Sequence, residues 1–593
     1  MRSGIHFQNA FKTYTYELDK LVSPRETIER VQSKLHETGI DLLQRTLRID
    51  TGRLGIPVYI SLCGTEAVRT IGTKKQMGKG CTPEQAEASA LMELVERFSF
   101  FSFIRQGSFP QATYRTLKDR ALPFQYIPLS VYEPDPFDER NRICFEDLSL
   151  RWAWALDLTR ETEVLVPIDW FYLIHEYNGP AAGNSLEETL LQGLCEVVER
   201  HVSSIITHEK RETPSIALDS IKDPAGRELL EKFERNGIKV CLKDFSLNTG
   251  IPTVGALAYD PSTFPDSSEI IFTAGTTTSP EKSVIRALTE VAQLAGEFQH
   301  KTTYRPTLPK FTQLSEASYI TASSDVVDLY SLPNLSDIDF HQEIVLCTTA
   351  LRKVGLDVFA VDMTHPEIGI PALYIIIPGA HFMDRTRGNS ISYHASRLSS
   401  QLADENQSVA EMERIAGLFP DRYEVRFFLG YAYERKGWAR TALSHFEAAL
   451  KMEPKPVDVA NIYCHIGISY RDQGFFDQAI KMFQIAREYN DTLKEIYQQL
   501  GFCYFKIGNY EKAIGQFEKA LAIDPGSAID YANIGANLKA MGHVEMAIPI
   551  YEMALEIDPD LEFAHTQLHQ IKSPHPPFAL RVRDRSGSEI KEG

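Results

Sequence analysis

The rhythm of apolar and polar positions changes once along this chain, near residue 396. Before it, short runs alternate every second residue or stay apolar over a few positions, as strands do. Pro57–Leu62, Trp152–Leu156, Val164–Pro167, Val240–Leu242, Thr253–Ala258, Val358–Thr364 and Ala372–Ile377 are of this kind. Between them, apolar residues return every three or four positions, the pattern of helices with one buried face. Ser23 followed by Pro24 marks a helix start, because the hydroxyl caps the first turn and proline needs no backbone donor there. It predicts a helix over 24–38. Strands and helices interleave irregularly, which predicts an α+β domain over residues 1–395 with helices on a mainly antiparallel sheet.

Beyond residue 396 the strand pattern stops and a repeat begins. Leu429-Gly430, Ile466-Gly467, Leu500-Gly501 and Ile534-Gly535 recur at spacings of 37, 34 and 34 residues. In the same register lie Gly437, Gly474, Gly508 and Gly542, then Phe446, Phe483, Phe517 and Tyr551, then Ala449, Ala486, Ala520 and Ala554. Small residues let two helices cross closely and large ones fill the gaps, so each unit reads as a helix pair that buries its face only against its neighbours. The expected division is a linker helix over 396–418, four repeats plus a capping helix over 419–572, and a polar, disordered tail over 573–593.

Three helical stretches carry the candidate chemistry. The first holds Ser89, Glu93, Glu96 and Arg97; the second holds Ser185, Gln192, Glu196, Glu199 and Arg200; the third holds Arg286, Glu290 and Gln293. At about 100° per residue, the polar positions of each stretch share one stripe. One Glu-x-x-Glu-Arg is ordinarily a solvated face with i,i+3 and i,i+4 pairs. Three in one chain are a different matter, opened as they are by Gly78-Lys79-Gly80, Ala181-Ala182-Gly183-Asn184 and Ala274-Gly275-Thr276. Each unpaired buried charge costs several kcal/mol, so five such carboxylates call for a cation. Mg²⁺ takes carboxylate oxygens, usually together with substrate phosphates.

These stretches resemble the signature helices of the YcaO family, with all three motifs complete, over roughly residues 15–395. The repeats resemble tetratricopeptide units. The first resemblance implies an ATP-binding fold without a P-loop, and no Gly-x4-Gly-Lys-Ser/Thr run occurs near Gly78-Lys79-Gly80. It implies Mg²⁺ held by Glu93, Glu96, Glu196, Glu199 and Glu290, with ATP contacted by Arg286, Asn184, Ser185, Ser89, Gln192, Gln293 and Arg200. Lys20 and Thr27, seven apart, resemble a further nucleotide contact of the family. Arg97 and Arg200 would touch phosphate or orient carboxylates, and Lys79 is a surface lysine by default. Members of the family typically spend ATP on a backbone amide oxygen, so that a nucleophile can attack the amide carbon. They often pair, so a homodimer is expected.

Composition narrows the partners. The chain has 593 residues, 43% apolar and 24% charged, and a net charge of −18. That excludes a broad nucleic-acid-binding surface. No apolar run is long enough for a membrane helix, and the first residues lack a signal-peptide core. The eight cysteines include no Cys-x-x-Cys, against zinc, iron–sulfur and disulfide frameworks. A cytoplasmic protein is expected. Cys81, Cys195 and His365 read as core or loop residues rather than catalytic ones.

Three readings of the reaction stay open. The first is ATP-dependent activation of an amide in a peptide or protein, with the repeats docking a partner. The second is an accessory factor for methylthiolation of a small-subunit ribosomal protein, the layout closer to a family domain followed by helical repeats. Azoline-forming members tend to end in Pro-x-Pro-x-Pro, whereas this chain ends Ile590-Lys591-Glu592-Gly593. The third is a repeat scaffold that does not turn over.

Overall fold

The computed structural model describes residues 4–131, 133–301, 308–322, 325–382 and 390–572; the tail expected over 573–593 lies outside them. The chain forms two units, Met1–Ala395 and Ser396–Gly593.

Among the described residues the first unit holds three sheets rather than one. Leu43–Arg48, Val58–Cys63 and Lys75–Lys79 form an antiparallel three-stranded sheet. Five strands run in the order Ile271–Thr276, Thr253–Tyr259, Lys239–Asp244, Ser215–Ile216 and Val326–Val327, and only the last pair is parallel. The third sheet is antiparallel, in the order Gln111–Thr113, Ser149–Asp157, Phe359–Asp362, Ala372–Ile376 and Pro180–Ala182, with Thr162–Pro167 also on Ser149–Asp157. The expected first helix spans Pro24–Glu37, and Ser23 and Glu26 close a reciprocal capping box at its start.

Three long helices carry the acidic stretches: Pro83–Gln106, Leu186–Glu209 and Pro280–Leu294. Leu91, Leu94 and Val95 of the first pack with Val31, Leu35 and Ile370. Leu194, Val197 and Val198 of the second pack with Leu373 and Ile375. Val284, Leu288 and Val291 of the third pack with Val254, Ala256 and Ile271. The apolar residues beside the acidic stripes are therefore what seat the helices, which lets the stripes face a common space.

The glycines that open these stretches do something other than turn the chain. Gly275 lies in the strand Ile271–Thr276, and a Cβ there would sit 2.5 Å from Ala287 N and 2.6 Å from Ser283 O of the third helix. Gly78 lies in the strand Lys75–Lys79, where a Cβ would run into the backbone of Ala86 and Ala90. Both glycines allow an acidic helix to rest directly on a strand.

Where one linker helix was expected over 396–418, there are two helices: Ile391–Ser400, which begins in the first unit, and Glu405–Leu418 in the second. Asp404 separates them, its side chain accepting from the backbone N–H of Asn406 and Gln407 to start the second. Helices then alternate from Tyr423–Arg435 to Glu562–Lys572. The repeated glycine lies under the repeated ring of its own unit. A Cβ on Gly430, Gly467, Gly501 or Gly535 would meet Phe446, Phe483, Phe517 or Tyr551 at 2.7, 2.6, 2.7 and 2.9 Å. Among the described residues no helix is long and apolar enough to cross a membrane.

Candidate nucleotide and metal site

The three acidic helices meet around a cavity of about 830 Å³ in the first unit, open to solvent on one side. Ser89, Glu93 and Glu96 line it from the first helix, Glu188 and Gln192 from the second, and Arg286 and Thr289 from the third. Asn184 enters just ahead of the second helix, and Lys20 and Thr27 enter from the N-terminal segment. Thr27 Oγ1 lies 3.1 Å from Asn184 Nδ2, and Arg30 donates to the Asn184 carbonyl at 2.8 Å. Lys20 and Thr27, far from Asn184 in sequence, thus stand beside it.

Ion pairs tie the other predicted residues to this cavity. Glu199 Oε2 accepts from Arg286 Nε and from the backbone N–H of Thr276, both at 3.1 Å. Arg200 lies 3.7 Å from Glu196 and 3.8 Å from Glu199. Arg97 Nε reaches Glu93 at 2.9 Å and Glu96 at 3.4 Å. Lys79, expected on the surface, instead lines the cavity and contacts Glu290.

Two predicted residues are placed differently. Ser185 is the N-cap of the second helix, its Oγ accepting from Glu188 N at 3.2 Å, and it does not line the cavity. Gln293, in the last turn of the third helix, does not line it either. Helical spacing puts both on the acidic stripe, but the Ser185 hydroxyl is taken up by its own helix, and Gln293 lies a turn beyond Thr289, which does line the cavity.

Glu188 escaped the sequence reading. It is buried, lines the cavity, and accepts from Leu21 N at 2.8 Å, Asn184 Nδ2 at 3.2 Å and Lys20 Nζ at 3.4 Å. Its position four residues before Gln192 on the same stripe was the available signal. Glu17, fully buried, accepts from Cys81 N and from Thr82 Oγ1 at the start of the first helix. Nothing in its sequence neighbourhood announces that role.

The charge balance shows what the cavity is suited to hold. Among the described residues, seven carboxylates (Glu17, Glu93, Glu96, Glu188, Glu196, Glu199, Glu290) face the cations Lys20, Arg30, Lys79, Arg97, Arg200 and Arg286. Burial, and then the neighbouring Glu93, raise Glu96 well above the ordinary carboxylate range. Burial likewise raises Glu196. Glu96 Oε1 is buried and accepts no hydrogen bond. The arginines therefore leave negative charge uncompensated, which a cation would neutralise. Among the described residues no three His, Cys, Asp or Glu side chains converge tightly enough to hold an ion alone. Mg²⁺ takes one or two carboxylates and completes its shell with phosphate and water. The thiols fit no nucleophile, since burial pushes Cys195 up to about 12 and raises Cys81 further.

A family model described as YcaO cyclodehydratase, ATP- and Mg²⁺-binding, matches residues 77–381. The chain belongs to the YcaO family. Its second unit matches tetratricopeptide models over 423–456, 458–526 and 495–560. The YcaO chain is 30% identical over 383 residues to an uncharacterised protein of Methanothermobacter thermautotrophicus, spanning 60% of this chain and 94% of that one. It is 25% identical over 348 residues to the ribosomal protein S12 methylthiotransferase accessory factor YcaO of Escherichia coli, spanning 51% of this chain and 56% of that one. Its fold is similar to that of a heterocyclase solved in complex with substrate and cofactor, with a TM-score of 0.51 and 21% identity. That match covers 64% of this chain and 54% of the heterocyclase. As a YcaO protein the chain is an ATP-utilising, Mg²⁺-binding enzyme.

Proposed function

We propose that this YcaO enzyme uses Mg-ATP to activate a backbone amide in a peptide or protein, and that its repeats dock the partner carrying that amide. The excess of buried carboxylate around the 830 Å³ cavity, with Arg286 in its wall, carries the reading. In it, Glu93, Glu96, Glu188, Glu196, Glu199 and Glu290 supply the oxygen ligands for Mg²⁺. The planar fork of Arg286 receives phosphate oxygens, held in orientation by Glu199. Lys20, Thr27, Ser89, Asn184 and Gln192 hold the remainder of the nucleotide, and Arg97 and Arg200 fix the carboxylates they pair with. Bound ATP supplies a phosphoryl group that turns an amide oxygen into a leaving group. The protein's share is positioning and charge stabilisation.

Calorimetric titration with a non-hydrolysable ATP analogue tests this reading. Micromolar, Mg²⁺-dependent binding is expected, weakened at least about 10-fold in Glu199→Gln. Binding that ignores Mg²⁺ and survives Glu199→Gln unchanged overturns it.

The similarity to the E. coli accessory factor favours a second, narrower reading, an accessory role in methylthiolation of a small-subunit ribosomal protein. Intact-mass analysis of ribosomal proteins from a deletion strain decides it. A lost methylthio group supports the role, and an unchanged profile removes it.

A further inference from the structure

Three alternate helices of the repeat unit, Lys494–Lys506, Ala528–Ala540 and Glu562–Lys572, line a groove of about 1080 Å³, with Phe517 of Tyr510–Ile523 in its wall. Phe502 and Lys506 come from the first, four residues apart, and Ala536 from the second, where its small side chain leaves the middle open. Phe563 closes the far side. Both Phe502 and Phe563 are exposed, which is unusual for rings on a solvent-facing helix.

The charge of this groove is opposite to that of the chain. The protein carries a net −18, yet among the described residues lining the groove there is no carboxylate, and the charged ones are Lys506 and Lys539. Lys539 Nζ donates to the amide oxygens of Gln567 and Gln570, at 2.8 and 3.0 Å, so its charge meets only neutral partners. Lys506 Nζ stands 5.2 Å from the centre of the Phe502 ring, which keeps the cation beside an apolar surface. Asn537, also in the wall, donates through Nδ2 to the Asn533 carbonyl at 2.8 Å, while its buried Oδ1 accepts nothing.

We propose that this groove takes an extended, acidic segment of the substrate protein, with large apolar side chains between its carboxylates. The carboxylates meet Lys506 and Lys539, and the apolar side chains lie against Phe502 and Phe563. The proposal rests on the amide-activating reading above, because it names the class of protein presented to that site.

The test is fluorescence anisotropy on the full chain with two labelled, capped hexapeptides, one alternating aspartate and leucine, its twin alternating lysine and leucine. The acidic peptide is expected to bind at least about 10-fold tighter, and to weaken as salt screens the lysines. Lys506→Glu combined with Lys539→Glu should abolish the preference while helix content and Mg-nucleotide binding stay unchanged. Equal binding of the twins, or undiminished acidic-peptide binding in the double variant, overturns the proposal. If the double variant fails to fold, Phe502→Ser decides instead. Loss of affinity for the acidic peptide supports the groove, and unchanged affinity overturns it. Failure of the amide-activating reading is seen separately, as absent nucleotide binding while the peptide preference persists.

Discussion

The two units of this chain solve the same packing problem over very different distances. In the repeats, a glycine in one helix meets an aromatic ring in the next, as Gly501 meets Phe517. In the YcaO unit, Gly275 meets the helix that follows it, but the function of that helix depends on segments far away. Its Arg286 is held by Glu199, and the cavity it faces is closed by Lys20 and Thr27. Local packing makes a solenoid tolerant, because each interface answers only to its neighbours. Assembly from distant segments makes a site exacting, because each helix must be seated correctly before any stripe faces another.

This contrast is broken most sharply at Gly275. A side chain there collides with the backbone of Ser283 and Ala287, which cannot rotate aside. Gly275→Val is expected to destabilise the YcaO unit by about 3 kcal/mol or more. It should also displace Arg286 and abolish binding of a Mg-bound ATP analogue, as read by denaturant titration and calorimetry. A variant with normal nucleotide affinity would show that the helix can shift without cost to the site.

Acid is the second probe, and it should act on the YcaO unit first. His175 is buried among Phe171, Tyr374 and Phe382, and burial pulls its pKa down to about 3. Burial, and then His381, pull His201 down to about 3 as well. Both are neutral in the folded state, while the unfolded chain takes up protons below the ordinary histidine range. Stability from these groups is therefore full above about pH 6.5 and lost as pH falls toward 3. At pH 5, His175 alone should cost about 2 kcal/mol. Urea melts at pH 7 and pH 5, followed by hydrogen exchange on segments of each unit, check it. Equal losses in both units would erase the contrast.

The smallest effect is expected in the repeats. Gly501→Val pushes first against the ring of Phe517, a side chain rather than backbone, and should cost about 1–3 kcal/mol. Thermal melting should show the loss, and calorimetry should show nucleotide affinity unchanged. A fall in nucleotide affinity would mean that the repeats support the site.

The sequence alone determined the repeats, because their contacts join residues within one period and the spacing of Gly, Phe and Ala writes each contact into the chain. It also determined the acidic stripes, since helical phase is a local property and the resemblance to YcaO signature helices is carried by those residues. Tertiary structure decided the rest. Two of the glycines that open the acidic stretches, Gly78 and Gly275, are strand residues under helices, since close approach of two elements leaves no local mark. Ser185 and Gln293 share the stripe but do not line the cavity, Ser185 because its hydroxyl caps the second helix. Glu188 and Glu17 belong to the site because Lys20, Leu21, Asn184, Cys81 and Thr82 come to them, and Lys79 leaves the surface because Glu290 lies opposite. A stripe of carboxylates can be read from helical phase; which of them share a cation depends on which elements are brought face to face.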